Sequence, residues 1–218
     1  MIFFYILYNF NDMLITKYLE MQKLNCEDLS RIEDNALFDS KKDVLSNVGR
    51  YLLYSILEEK GYLDLLSPPL IEYNYYGKPY LCNIPIDFNI SHKKDIVVCS
   101  ISTNGFVGVD VEKKVALDIR AYNEILSAKE MDIINNATDK LACFYEFWTK
   151  KEAVIKGEGL GFFMPIPNFD TAWDYYKSSS NIWYIYTNRI RKEYILSIAS
   201  NVLEQPFISE YKLRNDEN

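Results

Sequence analysis

A helix can bury a carboxylate only if something answers its charge, and the stretch Asp139–Lys156 poses that problem. Stepping by three and four, Leu141, Phe144, Tyr145, Trp148 and Ile155 form one apolar stripe. Glu152 falls inside the stripe, one turn beyond Trp148, with Lys151 and Lys156 flanking it. Two readings stand. Glu152 and Lys156 could form an ion pair at i,i+4, or Glu152 could complete a metal site whose other ligands come from elsewhere in the chain.

The other carboxylates that suit such a site lie in Gly108-Val109-Asp110-Val111-Glu112-Lys113. Read as a strand, this segment turns Asp110 and Glu112 to one face, about 7 Å apart, and Val109 and Val111 to the other. The plain alternative is an edge strand with two solvated acids. With Glu152 added, three carboxylates make an oxygen-rich set suited to magnesium, an ion that keeps water and takes further ligands from substrate phosphates. Cations for those phosphates are at hand. His92, the single histidine, follows Phe88-Asn89-Ile90-Ser91 and precedes Lys93 and Lys94, a cationic and hydroxyl-bearing cluster able to grip a phosphate. Lys78 sits in the turn Tyr76-Gly77-Lys78-Pro79-Tyr80, and Arg50 lies on the helix side opposite Val48 and Leu52. Gly157, Gly159 and Gly161 follow a helix and lack the Walker pattern, so they read as a helix end and loop.

These pieces sit in an α+β chain of two similar lobes, 1–105 and 106–218, joined near 105–115. The apolar opening Met1–Phe10 reads as a buried strand, and Thr16–Asp34 is helix-prone. A strong helix spans Lys41–Lys60, closed by Gly61. The runs Asp95–Thr103 and Phe106–Glu112 flank Asn104-Gly105, a hairpin signal. Further helices are expected at Ala128–Asn135 and Asp139–Lys156, and strands at Ile182–Thr187 and Glu193–Asn201. The net charge of −7 opposes nucleic-acid binding, which needs a basic stripe. Cys26, Cys82, Cys99 and Cys143 form no CxxC pair, so reduced thiols and a cytoplasmic location without membrane contact are expected.

In order and spacing, Tyr76-Gly77-Lys78-Pro79, Phe88–His92, Val107–Lys113 and Phe147–Lys156 resemble the phosphopantetheinyl transferases, specifically the larger, two-lobed type that activates peptide and polyketide synthetases. Arg50 in Gly49-Arg50-Tyr51-Leu52-Leu53, the glycines 157–161 and Pro165 also fit. The resemblance spans roughly Arg50–Pro165. It implies a pseudo-twofold α+β fold with coenzyme A in the cleft between the lobes. It implies Mg2+ held by Asp110, Glu112 and Glu152. Lys78 and Pro79 would border the adenine nucleotide, Arg50, Ser91 and His92 its phosphates, and Lys151 and Lys156 the pyrophosphate. A carrier serine would attack the β-phosphate, with Glu152 as base and Lys156 neutralising charge, and adenosine 3',5'-bisphosphate would leave. The partner implied is an acyl or peptidyl carrier protein, met by a monomer. Phe162, Phe163 and Met164 are candidates for docking it. Lys93 departs from the small residue usual in the family, and the lysine-arginine cluster common before the first long helix is thin.

Two rival readings remain. Asp110 with Glu112-Lys113-Lys114 mimics the acidic-lysine pattern of metal-dependent nucleases, but leaves Glu152 and the Ser91-His92 cluster without a role. A coenzyme A- or carrier-binding module without activity is the other.

Overall fold

In the computed structural model, residues 1–8, 41–63, 69–161 and 169–211 are described. The helix-prone stretch Thr16–Asp34, Cys26, the docking candidates Phe162–Met164, and Pro165 lie outside them.

Strand β1 (Ile2–Tyr8) is apolar throughout because both its faces are covered. Phe3, Tyr5 and Leu7 turn toward helix α1 (Lys41–Glu59), while Ile2, Phe4 and Ile6 turn the other way, toward a second sheet. Strands β4 (Asp87–Lys93) and β5 (Ile96–Ser102) join β1 in the first sheet. Its order is completed by β10 (Phe207–Glu210), which lies parallel to β1, giving β10-β1-β5-β4. Between α1 and β4, strands β2 (Ile71–Tyr73) and β3 (Pro79–Leu81) form a two-stranded ribbon.

The second sheet contains β6 (Val107–Lys113), β7 (Tyr175–Lys177), β8 (Ile182–Ile190) and β9 (Tyr194–Ser200), in the order β6-β9-β8-β7. Helices α2 (Ala128–Asn136) and α3 (Lys140–Glu158) cover its outer face. Val107, Val109, Val111, Leu196 and Ile198 meet Ile2, Phe4, Ile6, Ile96 and Val98 between the sheets. The layers therefore run helix, sheet, sheet, helix. Of these strands β5 and β9 lie inside their sheets and are covered on both faces, and both are buried at every residue.

Asn104-Gly105 does not close a hairpin, contrary to the sequence signal. It carries the chain out of β5 in the first sheet and into β6 in the second. Side chains capture the bend instead. The Met1 ammonium donates to Thr103 Oγ1 (3.0 Å) and Asn104 Oδ1 (2.8 Å), and Asn201 Oδ1 accepts from Phe106 N (2.6 Å). Hairpins form instead at Lys94-Asp95, between β4 and β5, and at Arg191–Glu193, between β8 and β9, as well as between β2 and β3 and between β7 and β8.

The sheets meet edge to edge where β4 approaches β6. The unpaired N–H groups of β6 are taken by side chains at alternate positions of β4. Val107 N donates to Asp87 Oδ2 (2.7 Å), Val109 N to Asn89 Oδ1 (3.0 Å), and Val111 N to Ser91 Oγ (3.4 Å). Each such bond contributes roughly 1 kcal/mol, and leaving the buried N–H unmet would cost more. On the opposite face of β6, Gly108 lets α3 lie directly on the strand. A Cβ there would stand 2.0 Å from the Ala153 carbonyl oxygen and 2.4 Å from Gly157 N.

Gly108→Ala forces α3 off β6, since only backbone stands in the way of the added methyl. It should destabilise the protein by about 1–3 kcal/mol, read as a lower urea midpoint at unchanged slope.

Candidate active-site cleft

Helix α3 is set by its ends. Asp139 caps it, accepting from Ala142 N (2.9 Å), and Gly159 at φ +69 ends it in the left-handed conformation. Its buried side chains include Phe144, Tyr145, Phe147, Ala153, Val154 and Ile155. Glu152 is only half-buried, and it opens with Lys156 onto a cleft of about 310 Å³. This resolves the problem posed by the stripe. The carboxylate sits where the packed face gives way to the cleft.

The opposite wall is the β2–β3 turn, with Tyr76, Gly77, Lys78 and Pro79, and β4 adds Asn89 and Ile90. Asn74 builds that turn, accepting at Oδ1 from Tyr76 N (3.0 Å) and Lys78 N (2.8 Å). Its Nδ2 donates to Gly159 O (3.0 Å), and Lys78 Nζ donates to Gly157 O (3.0 Å) and Asp87 Oδ2 (2.9 Å). The turn is thus fastened to the carbonyl end of α3, where a cation suits the helix dipole. Burial pushes the Asp87 carboxyl up, against the pull of Lys78.

Behind the cleft, Lys156 Nζ donates to Asp110 Oδ1 (2.6 Å) and to Ser91 Oγ (3.1 Å), and the Ser91 hydroxyl donates to Asp110 Oδ1 (3.0 Å). Lys93 holds Glu112 at 2.6 Å. The ion pair of Lys156 is therefore with Asp110, not with Glu152. Glu152 makes no hydrogen bond or ion pair among the described residues. Burial, and then the Asp110 charge, push its carboxyl above the ordinary range. Burial does the same for Glu112, with Lys93 opposing it.

The three carboxylates expected from the sequence feel one another but do not close into a cage. Among the described residues no group of three His, Cys, Asp or Glu side chains is disposed to hold a metal ion. Two of the three are answered by lysines instead. A narrower donor set remains, because Asp110 Oδ2 is buried without a hydrogen-bond partner and Glu152 is unpaired. Two hard oxygen donors beside a cleft open to phosphate suit magnesium, which binds through one or two carboxylates and substrate oxygens.

Other sequence candidates fall differently. Lys78, Pro79, Glu152 and Lys156 line the cleft. Arg50 donates to the Tyr73 hydroxyl (2.9 Å), and Arg50, Ser91 and His92 lie outside the lining. Lys151 is not in the cleft at all. It is buried against Glu130 (3.0 Å; side chains 1% and 0% exposed) and donates to the Phe169 carbonyl. Glu130 also accepts from Thr171 N and Oγ1, both at 2.7 Å. Lys151 therefore ties the chain beyond α3 to α2. Sequence reasoning missed Asn74, Asp87 and Asn89. The polar side chains at every second position of β4 were the available signal. Cys82, Cys99 and Cys143 are free thiols. Among the described residues no helix is long and apolar enough to cross a membrane.

Comparison with known proteins bears on the same segment. Residues 106–200 match the profile described as "4'-phosphopantetheinyl transferase superfamily". The match covers less than half of the chain and holds all of β6, α2, α3, β7, β8 and β9. It is 36% identical over 126 residues to "4'-phosphopantetheinyl transferase gsp" of Aneurinibacillus migulanus, covering 55% of this chain and 52% of that protein. It is 29% identical over 125 residues to "4'-phosphopantetheinyl transferase Sfp" of Bacillus subtilis (strain 168), covering 56% and 55%. To "4'-phosphopantetheinyl transferase AcpT" of Escherichia coli (strain K12) it is 36% identical over 104 residues, covering 43% and 51%. The chain spans about half the length of the curated relatives it matches.

A carboxyl whose folded pKa is raised supports stability fully below its unfolded value and withdraws that support as pH climbs through the folded value. For Glu152 the loss begins near the ordinary 4.5 and extends upward. Glu152→Gln should therefore melt above the wild type near neutral pH, with the difference closing below about 4.5, as followed by thermal denaturation at several pH values.

Proposed function

We propose that this chain transfers the phosphopantetheine arm of coenzyme A to a serine of an apo acyl or peptidyl carrier protein, releasing adenosine 3',5'-bisphosphate. The carrying observation is the cleft that sets unpaired Glu152 and Lys156 on one wall against the Lys78-Pro79 turn on the other. The similarity of residues 106–200 to the 4'-phosphopantetheinyl transferase superfamily supports the same reading.

Pro79, Ile90 and Ile155 give the cleft an apolar surface for the adenine nucleotide. Lys78 and Lys156 bring positive charge to its phosphates. Arg50, Ser91 and His92 lie outside the lining, so in this reading those two lysines supply the grip. The serine oxygen bonds to the β-phosphorus, and the bond from that phosphorus to the bridging oxygen breaks. The electron pair departs with the bisphosphate. Glu152, raised in pKa and free of partners, takes the hydroxyl proton. Lys156 offsets charge gathering on the pyrophosphate oxygens. A magnesium ion, when bound, would be held by Asp110 and Glu152 with Glu112 beside them, and supplies further positive charge to the pyrophosphate.

The lobes are 1–105 and 106–218 in this reading, related by a pseudo-twofold, with β10 returning to the first. One chain furnishes both walls of the cleft, and a monomer suffices.

Incubated with coenzyme A, magnesium and an apo carrier domain, the protein should add about 340 Da to the carrier, read by intact-mass spectrometry. Glu152→Gln should lower the rate by about 10²–10⁴ while circular dichroism stays unchanged. A carrier that gains no mass with the wild-type protein sinks the proposal.

A further inference from the structure

Three residues other than glycine have positive φ among the described residues, and all three are basic: Lys94 (+57), Arg191 (+48) and Lys192 (+61). Side chains with a Cβ occupy this region at a backbone cost that glycine avoids. A charge kept at that cost in three turn positions points to a use for the charge itself.

The two turns adjoin. The Tyr194 hydroxyl donates to Asp95, joining the β8–β9 turn to the β4–β5 turn. That bond, and after it the Lys113 and Arg191 charges, hold the Asp95 carboxyl below its usual range. Arg191 stacks on the Tyr8 ring at 3.5 Å, and Lys113 lies over the Tyr194 ring at 5.2 Å. Lys113 and Lys114 pair with Glu193 (2.7 Å) and Asp139 (2.9 Å). Lys94, Arg191 and Lys192 are exposed, and none of them forms an ion pair among the described residues. One end of the sheet sandwich thus carries three exposed cations beside the single carboxylate of Asp95, an excess of positive charge in a chain of net charge −7.

This rim borders the cleft chemistry. Lys94 follows Lys93, which holds Glu112, and Lys113 follows Glu112 directly. We infer that the Lys94/Arg191/Lys192 rim is the docking surface for an acidic protein domain. The inference rests on the transfer reading for the identity of that domain as a carrier. Two acidic proteins repel overall, so they must meet where one is locally positive. An acidic face seated on this rim would bring a neighbouring serine toward Asp110 and Glu152.

The probe is a fluorescently labelled, strongly acidic apo carrier domain, its binding followed by anisotropy at low and high salt beside the mass assay. In Lys94→Gly/Lys192→Gly both changes relieve backbone strain, so the variant should melt no lower than the wild type. It should bind the domain more weakly on the order of tenfold at low salt, with the gap closing at high salt. Lys94→Arg/Lys192→Arg should bind as the wild type does. Equal affinity of wild type and glycine variant overturns the inference, as does a gap that persists at high salt, or tighter wild-type binding to duplex DNA or anionic vesicles than to the domain. A wild type that binds the domain in this pattern yet adds no mass upholds the docking surface and sinks the transfer reading alone.

Discussion

The position of every group in the cleft depends on how two sheet edges are joined without backbone pairing. Strands β4 and β6 each end a sheet, and an open edge invites unwanted partners. Here Asp87, Asn89 and Ser91 take the β6 N–H groups one after another. The same side chains reach the chemistry. Asp87 grips Lys78, Asn89 lines the cleft, and Ser91 bonds Asp110 and Lys156. The seam that fixes the sheets also fixes the cations and carboxylates, so fold and site share one set of hydrogen bonds.

Around that seam the charges are balanced pairwise. Lysines at 93, 78 and 156 answer Glu112, Asp87 and Asp110, each within 3 Å. Glu152 alone of the cleft's acids has no such partner. Its carboxyl is pushed above the ordinary range by burial first and by the Asp110 charge after it.

Much of this was legible in the sequence where local chemistry decides. Periodicity placed α1, α2, α3, β8 and β9, and the odd carboxylate in an apolar stripe marked Glu152. What escaped depended on partners distant along the chain. Asn104-Gly105 has the residues of a tight hairpin, yet Met1 donates to the Asn104 side chain, Asn201 accepts from Phe106 N just beyond, and the strands go to different sheets. Lys151 stands beside Glu152 in sequence, but helical geometry turns it about 100° away, onto Glu130. A three-carboxylate cluster was a fair reading of residue types, but which acids already have lysines is visible only in three dimensions.

The return of β10 to lie along β1 gives the chain a second crossing between its sheets. With the connection after β5, it ties the layers at two places, so they cannot swing apart like a book on one spine. The β2–β3 turn is joined to the end of α3 differently, through the Asn74 and Lys78 side chains alone, so moving it would break side-chain bonds and leave every strand pairing intact. Two polar side chains hold that wall of the cleft, while the layers behind it are stitched by the backbone itself.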